Sequence, residues 1–338
     1  MEISPTVAVP RRTAGSQYGA EVGLDTRYRR ILVPLDGSEL ARSAVATAAG
    51  MGRLFDSELT LIGVLRQSPR PQAPDPVSPS MSGTDGEGVA RSRADPGSNA
   101  GSYLGEVTEE LLQAGVHANS VVVLNADPAT GVVLTARDRH SDLIVMASRG
   151  RSGLARGLLG SVTDRVIHSS PVPVMVAPVD ADTGIDRWAP GLVIVPLDGS
   201  ELAEKALPHA ESISKAANAP ITLVRAVPFP IMYGGHPYDG LPAGSLAIAE
   251  EGEKEARHYL VEVATRLRAR GHTVETQIGG GHPRSEIIQI AQDARDAMVV
   301  MTTRGTSGLT RWVVGSVADS VIRSSVVPVL IIPPSMGH

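Results

Sequence analysis

Two short stretches carry the residues whose types and spacing suit ligand chemistry. In one, Ala147-Ser148-Arg149-Gly150 is followed by nine residues and then Gly160-Ser161-Val162. In the other, Thr302-Thr303-Arg304-Gly305 is followed by nine residues and then Gly315-Ser316-Val317. Each follows a short apolar run that reads as a buried parallel strand, and each leads into a helix-forming segment. A strand that delivers a glycine-bearing loop into a helix N-terminus can hold phosphate: loop amides point inward, glycine permits close approach, and the helix end is partly positive. Arg149 and Arg304, beside the loop glycines, would put a guanidinium within reach of phosphate oxygens, although both also read as solvated surface arginines.

Other readings compete for the same residues. Ser161-x-x-Asp164 and Ser316-x-x-Asp319 fit a helix capping box. A cap alone, however, does not call for a glycine loop of fixed length in both places. Asp36 and Asp198 close short apolar runs and belong at strand C-termini, where open α/β sheets bind ligands; Asp36-Gly37-Ser38-Glu39 also reads as a capping box. Gly279-Gly280-Gly281 lacks the partners of a phosphate loop and reads as a turn before Pro283. No Gly-x-x-x-x-Gly-Lys-Ser/Thr occurs, and the nine histidines are scattered. Protein-ligated metal is not expected, whereas Mg²⁺ carried in on a phosphate is.

The elements that must position these residues come as a duplication. Val33 to Ala41 and Val195 to Ala203 are identical over nine residues. The segments from Gly160 to Val174 and from Gly315 to Val329 also run in parallel. A period of about 160 residues fits a repeated domain rather than a solenoid. The expected layout is a flexible tail over 1–27, a first domain over 28–180 and a second over 188–334. Short Val/Ile-rich runs without alternation, separated by helix-length segments, predict parallel strands covered on both faces. The fold class is therefore α/β, with two tandem open parallel sheets and right-handed crossovers. Strands are expected at 31–36, 59–65, 119–125, 142–147 and 173–178, and helices at 39–53, 103–114, 129–139 and 161–169. The Pro/Gly/Ser-rich segment 67–102 reads as a disordered insert, and its shorter counterpart 228–245 as a surface loop or an aromatic-bearing lid.

Composition narrows the function classes. The net charge of −5, without a Lys/Arg cluster, argues against nucleic-acid binding. The absence of cysteine removes thiolate chemistry and disulfides and fits a reducing compartment. No apolar run reaches the length of a membrane span and no signal peptide is apparent, so the cytoplasm is expected.

A domain that opens with Val-Pro-x-Asp-x-Ser and closes with Gly-x-x-Gly, nine residues, Gly-Ser resembles the universal stress protein family, here in tandem over residues 28 to 334. The resemblance implies a five-stranded parallel sheet in the order 3-2-1-4-5, Rossmann-like, in each half. It further implies ATP or another adenine nucleotide, with Mg²⁺, as a regulatory ligand. Nucleoside contacts would fall at Pro34, Leu35, Asp36 and at Pro196, Leu197, Asp198, and adenine contacts at Val64 and Val227. Ribose and phosphates would meet Gly150, Gly160, Ser161, Val162 and Gly305, Gly315, Ser316, Val317. The motif's first glycine is replaced by Ala147 and Thr302, so the first half is expected to bind at least as tightly as the second. Family members pair through the edge of the last strand, which implies an intrachain pseudo-dimer and leaves a further homodimer open. A slow ATPase or phosphotransferase, or an interaction module without nucleotide, are the alternative readings.

Overall fold

The computed structural model describes residues 26–65, 96–124, 126–148, 159–178, 185, 188–227, 245–294, 296–303 and 314–334. The first half runs β1 (Arg30–Pro34), α1 (Glu39–Phe55), β2 (Glu58–Leu65), α2 (Pro96–Gln113), β3 (Ala118–Leu124), α3 (Pro128–Asp138), β4 (Leu143–Ala147), α4 (Ser161–Ser169) and β5 (Val174–Ala177). The second runs β6 (Leu192–Pro196), α5 (Glu201–Glu204), α6 (Leu207–Ala217), β7 (Ile221–Ala226), α7 (Ser245–Ala269), β8 (Val274–Gly279), α8 (Pro283–Asp293), β9 (Ala297–Thr302), α9 (Ser316–Ser324) and β10 (Val329–Ile332).

The central strands β1, β4, β5, β6, β9 and β10 are nearly continuous apolar runs because both of their faces are covered, whereas the edge strands β3 and β8 are more exposed and carry polar residues. Ile31 and Val33 turn to one side of the sheet, against α1 and α2, while Leu32 turns to the other, with Val132 of α3 and Val166 of α4. Each half keeps the order 3-2-1-4-5, with every pairing inside a half parallel. The expectation of two five-stranded sheets paired at the edges of their last strands is corrected in its strand count. β5 and β10 pair antiparallel through Val174–Ile331, Met175–Leu330 and Val176–Val329, which joins the halves into one ten-stranded sheet. Both strands are buried along their whole length. Left apart, each would present an apolar, unpaired edge; facing each other, they satisfy one another's backbone groups.

A second correction concerns the insert. Residues 96–102, read as part of it, are the opening turns of α2, and Pro96 stands at the first helical position, where its fixed φ and missing N–H suit a helix start. The remainder of the insert, the tail before residue 26 and the segment 228–244 lie outside the described residues. In the second half the counterpart of α1 is split. Pro208 cannot donate to the carbonyl of Glu204, so α5 stops and α6 begins.

The halves also meet away from the sheet. Tyr28, just before β1, is buried between Phe55 of α1 and His209 of α6. Its hydroxyl shares a hydrogen bond with His209 Nδ1 at 2.6 Å. Ser212 of α6 donates to the Thr26 carbonyl, and Arg53 donates to the Ile185 carbonyl in the connection between the halves. Further out, one ion pair occurs twice with its signs exchanged. Arg42 of α1 meets Glu110 of α2 at 2.5 Å, whereas Glu204 of α5 meets Arg266 of α7 at 2.8 Å. A tyrosine accompanies each pair one helical repeat earlier, Tyr103 and Tyr259. Tyr259 donates to Glu204 at 3.0 Å and lies under the Arg225 guanidinium, 5.1 Å from its ring centre.

Burial holds the His209 imidazole down at about 4, against its ordinary value of 6.5. The unfolded chain therefore takes up this proton before the folded one does. The contribution is intact above the unfolded value and is lost as pH falls toward the folded value, by about 3 kcal/mol in all. His209→Gln retains a hydrogen-bonding partner for Tyr28 but has no proton to gain. Denaturant titrations between pH 7 and 4 should show a steeper loss of stability in the parent than in this variant.

Candidate functional site

The ladder between β1 and β4 is short. It pairs Ile31 with Leu143 and Leu32 with Ile144 and then stops. β6 and β9 pair over Leu192 to Ile194. On its other side β1 runs on, with Leu35 N–H donating to the Ile62 carbonyl at 2.9 Å; Leu197 does the same to Val224 at 2.8 Å. Pro34 and Pro196, whose amides would face the parted neighbour, have no N–H to leave unsatisfied there. A cleft therefore opens at the C-terminal end of the strands in each half, where the chain reverses its strand order.

The first cleft has a cavity of about 280 Å³. Ile62, Val64, Val132 and Met146 form its apolar floor, and Pro34, Leu35, Asp36, Ala147, Gly160, Ser161 and Val162 surround them. The second cavity is about 200 Å³. Val224, Ala226, Ile287 and Met301 make its floor, with Pro196, Leu197, Asp198, Thr302, Gly315, Ser316 and Val317 around it. Ala226, not Val227, stands where Val64 does, and Val227 is one residue beyond the lining. Arg149, Gly150, Arg304 and Gly305 lie outside the described residues.

At each mouth the strand-end aspartate is held by its own turn. Asp36 Oδ1 accepts from Ser38 N–H at 3.0 Å and from its hydroxyl at 2.5 Å; Asp198 accepts from Ser200 at 3.0 and 2.6 Å. The serines, rather than the aspartates, cap the following helices, accepting from Ala41 and Ala203 at 3.1 Å. Gly37 and Gly199 turn the chain with φ of 80° and 86°, a region that side chains disfavour.

Opposite, the loop ends are pinned together. Gly160 N–H donates to the Ser148 carbonyl at 2.8 Å, and Gly315 N–H to the Thr303 carbonyl at 2.6 Å. The capping-box reading of Ser161 and Ser316 is corrected here. The N-cap positions of α4 and α9 belong to Gly160 and Gly315, with no side-chain cap. Ser161 and Ser316 are the first residues inside and are exposed. By contrast α1, α3, α5 and α8 start on Ser38, Asp127, Ser200 and His282, each of which accepts a bond from its own first turn. A helix that begins without a side-chain oxygen leaves its first-turn N–H groups and positive end to whatever occupies the cleft.

The floors are built from different parts. In the first half Val64 lies against Gly131 of α3, where an added Cβ would come within 2.8 Å of its Cγ1. In the second half Glu286 takes the place of Gly131. Its carboxylate accepts from Gly281 N–H at 3.1 Å, and its stem fills the space that a Cβ on Gly279 would need. The triple glycine is thus a turn around a glutamate. Thr163 of α4 donates to the Ala147 carbonyl at 2.9 Å, a bond that Ala318 cannot make in α9. Among the described residues no group of three or more His, Asp or Glu could hold a metal ion, and no helix is long and apolar enough to cross a membrane.

These features define a duplicated, doubly wound α/β protein with a crevice at each topological switch point. The universal stress protein family model matches residues 27–178 and again 192–333, and the chain belongs to that family. A universal stress protein of Mycolicibacterium smegmatis is 26% identical over 306 residues, covering 90% of this chain and 97% of that one. Universal stress protein MJ0531 of Methanocaldococcus jannaschii is 32% identical over 142 residues, covering 41% of this chain and 80% of that one. Among solved structures, PA1789 of Pseudomonas aeruginosa superposes with a TM-score of 0.65 at 16% identity, covering 92% of this chain and 94% of that one. A universal stress protein from Archaeoglobus fulgidus gives 0.61 at 20% identity, covering 91% and 99%.

Alanine at Gly131 should be unfavourable, because Val64 is stiff about χ1 and must move into the cleft or strain. At Gly105 of α2 an added Cβ would meet nothing within 4 Å, so Gly105→Ala should gain about 1 kcal/mol of helix propensity. Thermal melts of the two variants should move in opposite directions.

Proposed function

We propose that each cleft binds an adenine nucleotide, ATP with its own Mg²⁺, and that the nucleotide is a regulatory ligand of a cytoplasmic stress-response protein. The observation that carries this reading is the pairing, built twice, of an apolar floor with a helix start that no side chain caps. A purine needs the first and phosphates need the second. In this reading the floor from Ile62 to Val64 takes the base, the main chain of Pro34 to Asp36 the nucleoside, and Gly160 to Val162 the phosphates. Val224 to Ala226, Pro196 to Asp198 and Gly315 to Val317 play the same parts in the second cleft. Asp36 and Asp198, each already accepting two bonds from a neighbouring serine, suit orientation of a ligand better than proton transfer. A ligand at a hundred times its dissociation constant adds about 2.7 kcal/mol to stability, enough to bias two arrangements of the chain.

Denaturing the purified protein and identifying the released small molecules by mass spectrometry should yield an adenine nucleotide. Gly160 and Gly315 have ordinary extended φ and ψ, so aspartate meets no backbone strain there and would cap the helix itself. Gly160→Asp and Gly315→Asp should each leave the ligand-free protein no less stable. Each should also remove one of two MgATP equivalents by calorimetric titration, through competition for the same N–H groups. Full MgATP binding by the double variant would refute the assignment.

A further inference from the structure

The second cleft contains a polar group that no described residue of the fold uses. Thr303, the residue after β9, is 6% exposed. It lines the cavity beside Gly315 and Ser316, and its carbonyl accepts from Gly315 N–H, which fixes it next to the start of α9. Its hydroxyl is buried and has no hydrogen-bond partner among the described residues. Such a group costs free energy unless something else satisfies it. The first cleft has Ser148 in its place, which is only half-buried and not part of the lining. The buried hydroxyl of that cleft, on Thr163, is already spent on the Ala147 carbonyl.

We infer that Thr303 is a specificity-determining residue of the second cleft, its hydroxyl donating to a sugar or phosphate oxygen of the ligand bound there. The inference rests on the nucleotide reading of the cleft. Rotation about χ1 exchanges the hydroxyl and methyl of a threonine among staggered positions, and a ligand oxygen at the mouth selects the rotamer that faces it. The orphaned donor then gains the acceptor that the protein withholds, and the two clefts stop being equivalent. In the first cleft the corresponding hydroxyl, on Ser148, stands outside the cavity lining, so the two clefts differ in where this donor sits.

The test is made in full-length Gly160→Asp protein, so that titrations report the second cleft alone. Thr303→Val, which keeps the shape and removes the hydroxyl, should weaken MgATP roughly tenfold, and Thr303→Ser should bind like its parent. The ligand-free valine variant should be at least as stable as its parent, since it loses a buried donor without an acceptor. Repeating the comparison with AMP and adenosine separates the sources of the acceptor. A loss that persists with adenosine assigns it to the sugar, and a loss confined to AMP and ATP assigns it to phosphate. Equal MgATP affinity with valine, or a less stable ligand-free valine variant, would overturn the role of Thr303 while leaving the cleft a nucleotide site. No binding at all to the Gly160→Asp parent would overturn the nucleotide reading of this cleft and the inference with it.

Discussion

The parting of β1 from β4, and of β6 from β9, is the constraint on which the rest of the structure depends. Parallel strands hold each other only while their ladders run, and here they run for two residues in one half and three in the other. Beyond that point β1 stays with β2, so the chain can leave on opposite faces of the sheet. The aspartate turn goes to one side and the glycine-started helix to the other. Both arrive over the same gap because the turn follows directly from β1 or β6 and the helix start is tied back to the end of β4 or β9 by the Gly160–Ser148 and Gly315–Thr303 bonds. An uncapped helix start and an apolar floor are thereby placed together, and no Asp, Glu, Lys or Arg among the described residues is buried to hold them.

Much of this was legible in the sequence, for identifiable reasons. Strands buried on both faces leave continuous apolar runs, and a nine-residue identity between the halves, Val33 to Ala41 and Val195 to Ala203, fixes the correspondence of β1 and β6. The pairing of the halves through their last strands came only with the family resemblance, because the ladder between β5 and β10 is a relation between distant segments. The helix start at Pro96 was obscured by the polar, glycine-rich composition of the preceding insert. The assignment of Val227 slipped by one residue because β2 and β7 share few residues, and only the register of Pro196 against Val224 places Ala226 over the cleft. Ser161 and Ser316 looked like caps because a serine three residues before an aspartate satisfies the pattern; only backbone geometry shows the cap position to lie one residue earlier. Nothing in the sequence marked Thr303, since an orphaned hydroxyl is a property of surroundings.

The two clefts share a plan and not a lining. Where the first half sets Val64 against Gly131, the second sets Ala226 near Glu286 and accommodates the glutamate with glycines in β8 and its turn. Large and small residues have exchanged sides across one contact, which keeps the layers filled while altering the floor. Threonines in place of Ala147 and Ser148, with Ile287 in place of Val132, accompany the narrower cavity of the second cleft, about 200 against 280 Å³.

The sign-exchanged ion pairs bear on how a duplicated chain avoids confusing its own parts. With nine identical residues opening each half, α1 and α5 begin alike, on Glu-Leu-Ala, and dock on α2 and α7 in corresponding places. An exchange of partners during folding would set Arg42 against Arg266 and Glu204 against Glu110, like charge on like. Each correct docking instead meets opposite charge. The reversal works as an address label, costing nothing in the finished molecule and penalising the crossed assembly that internal repetition would otherwise invite.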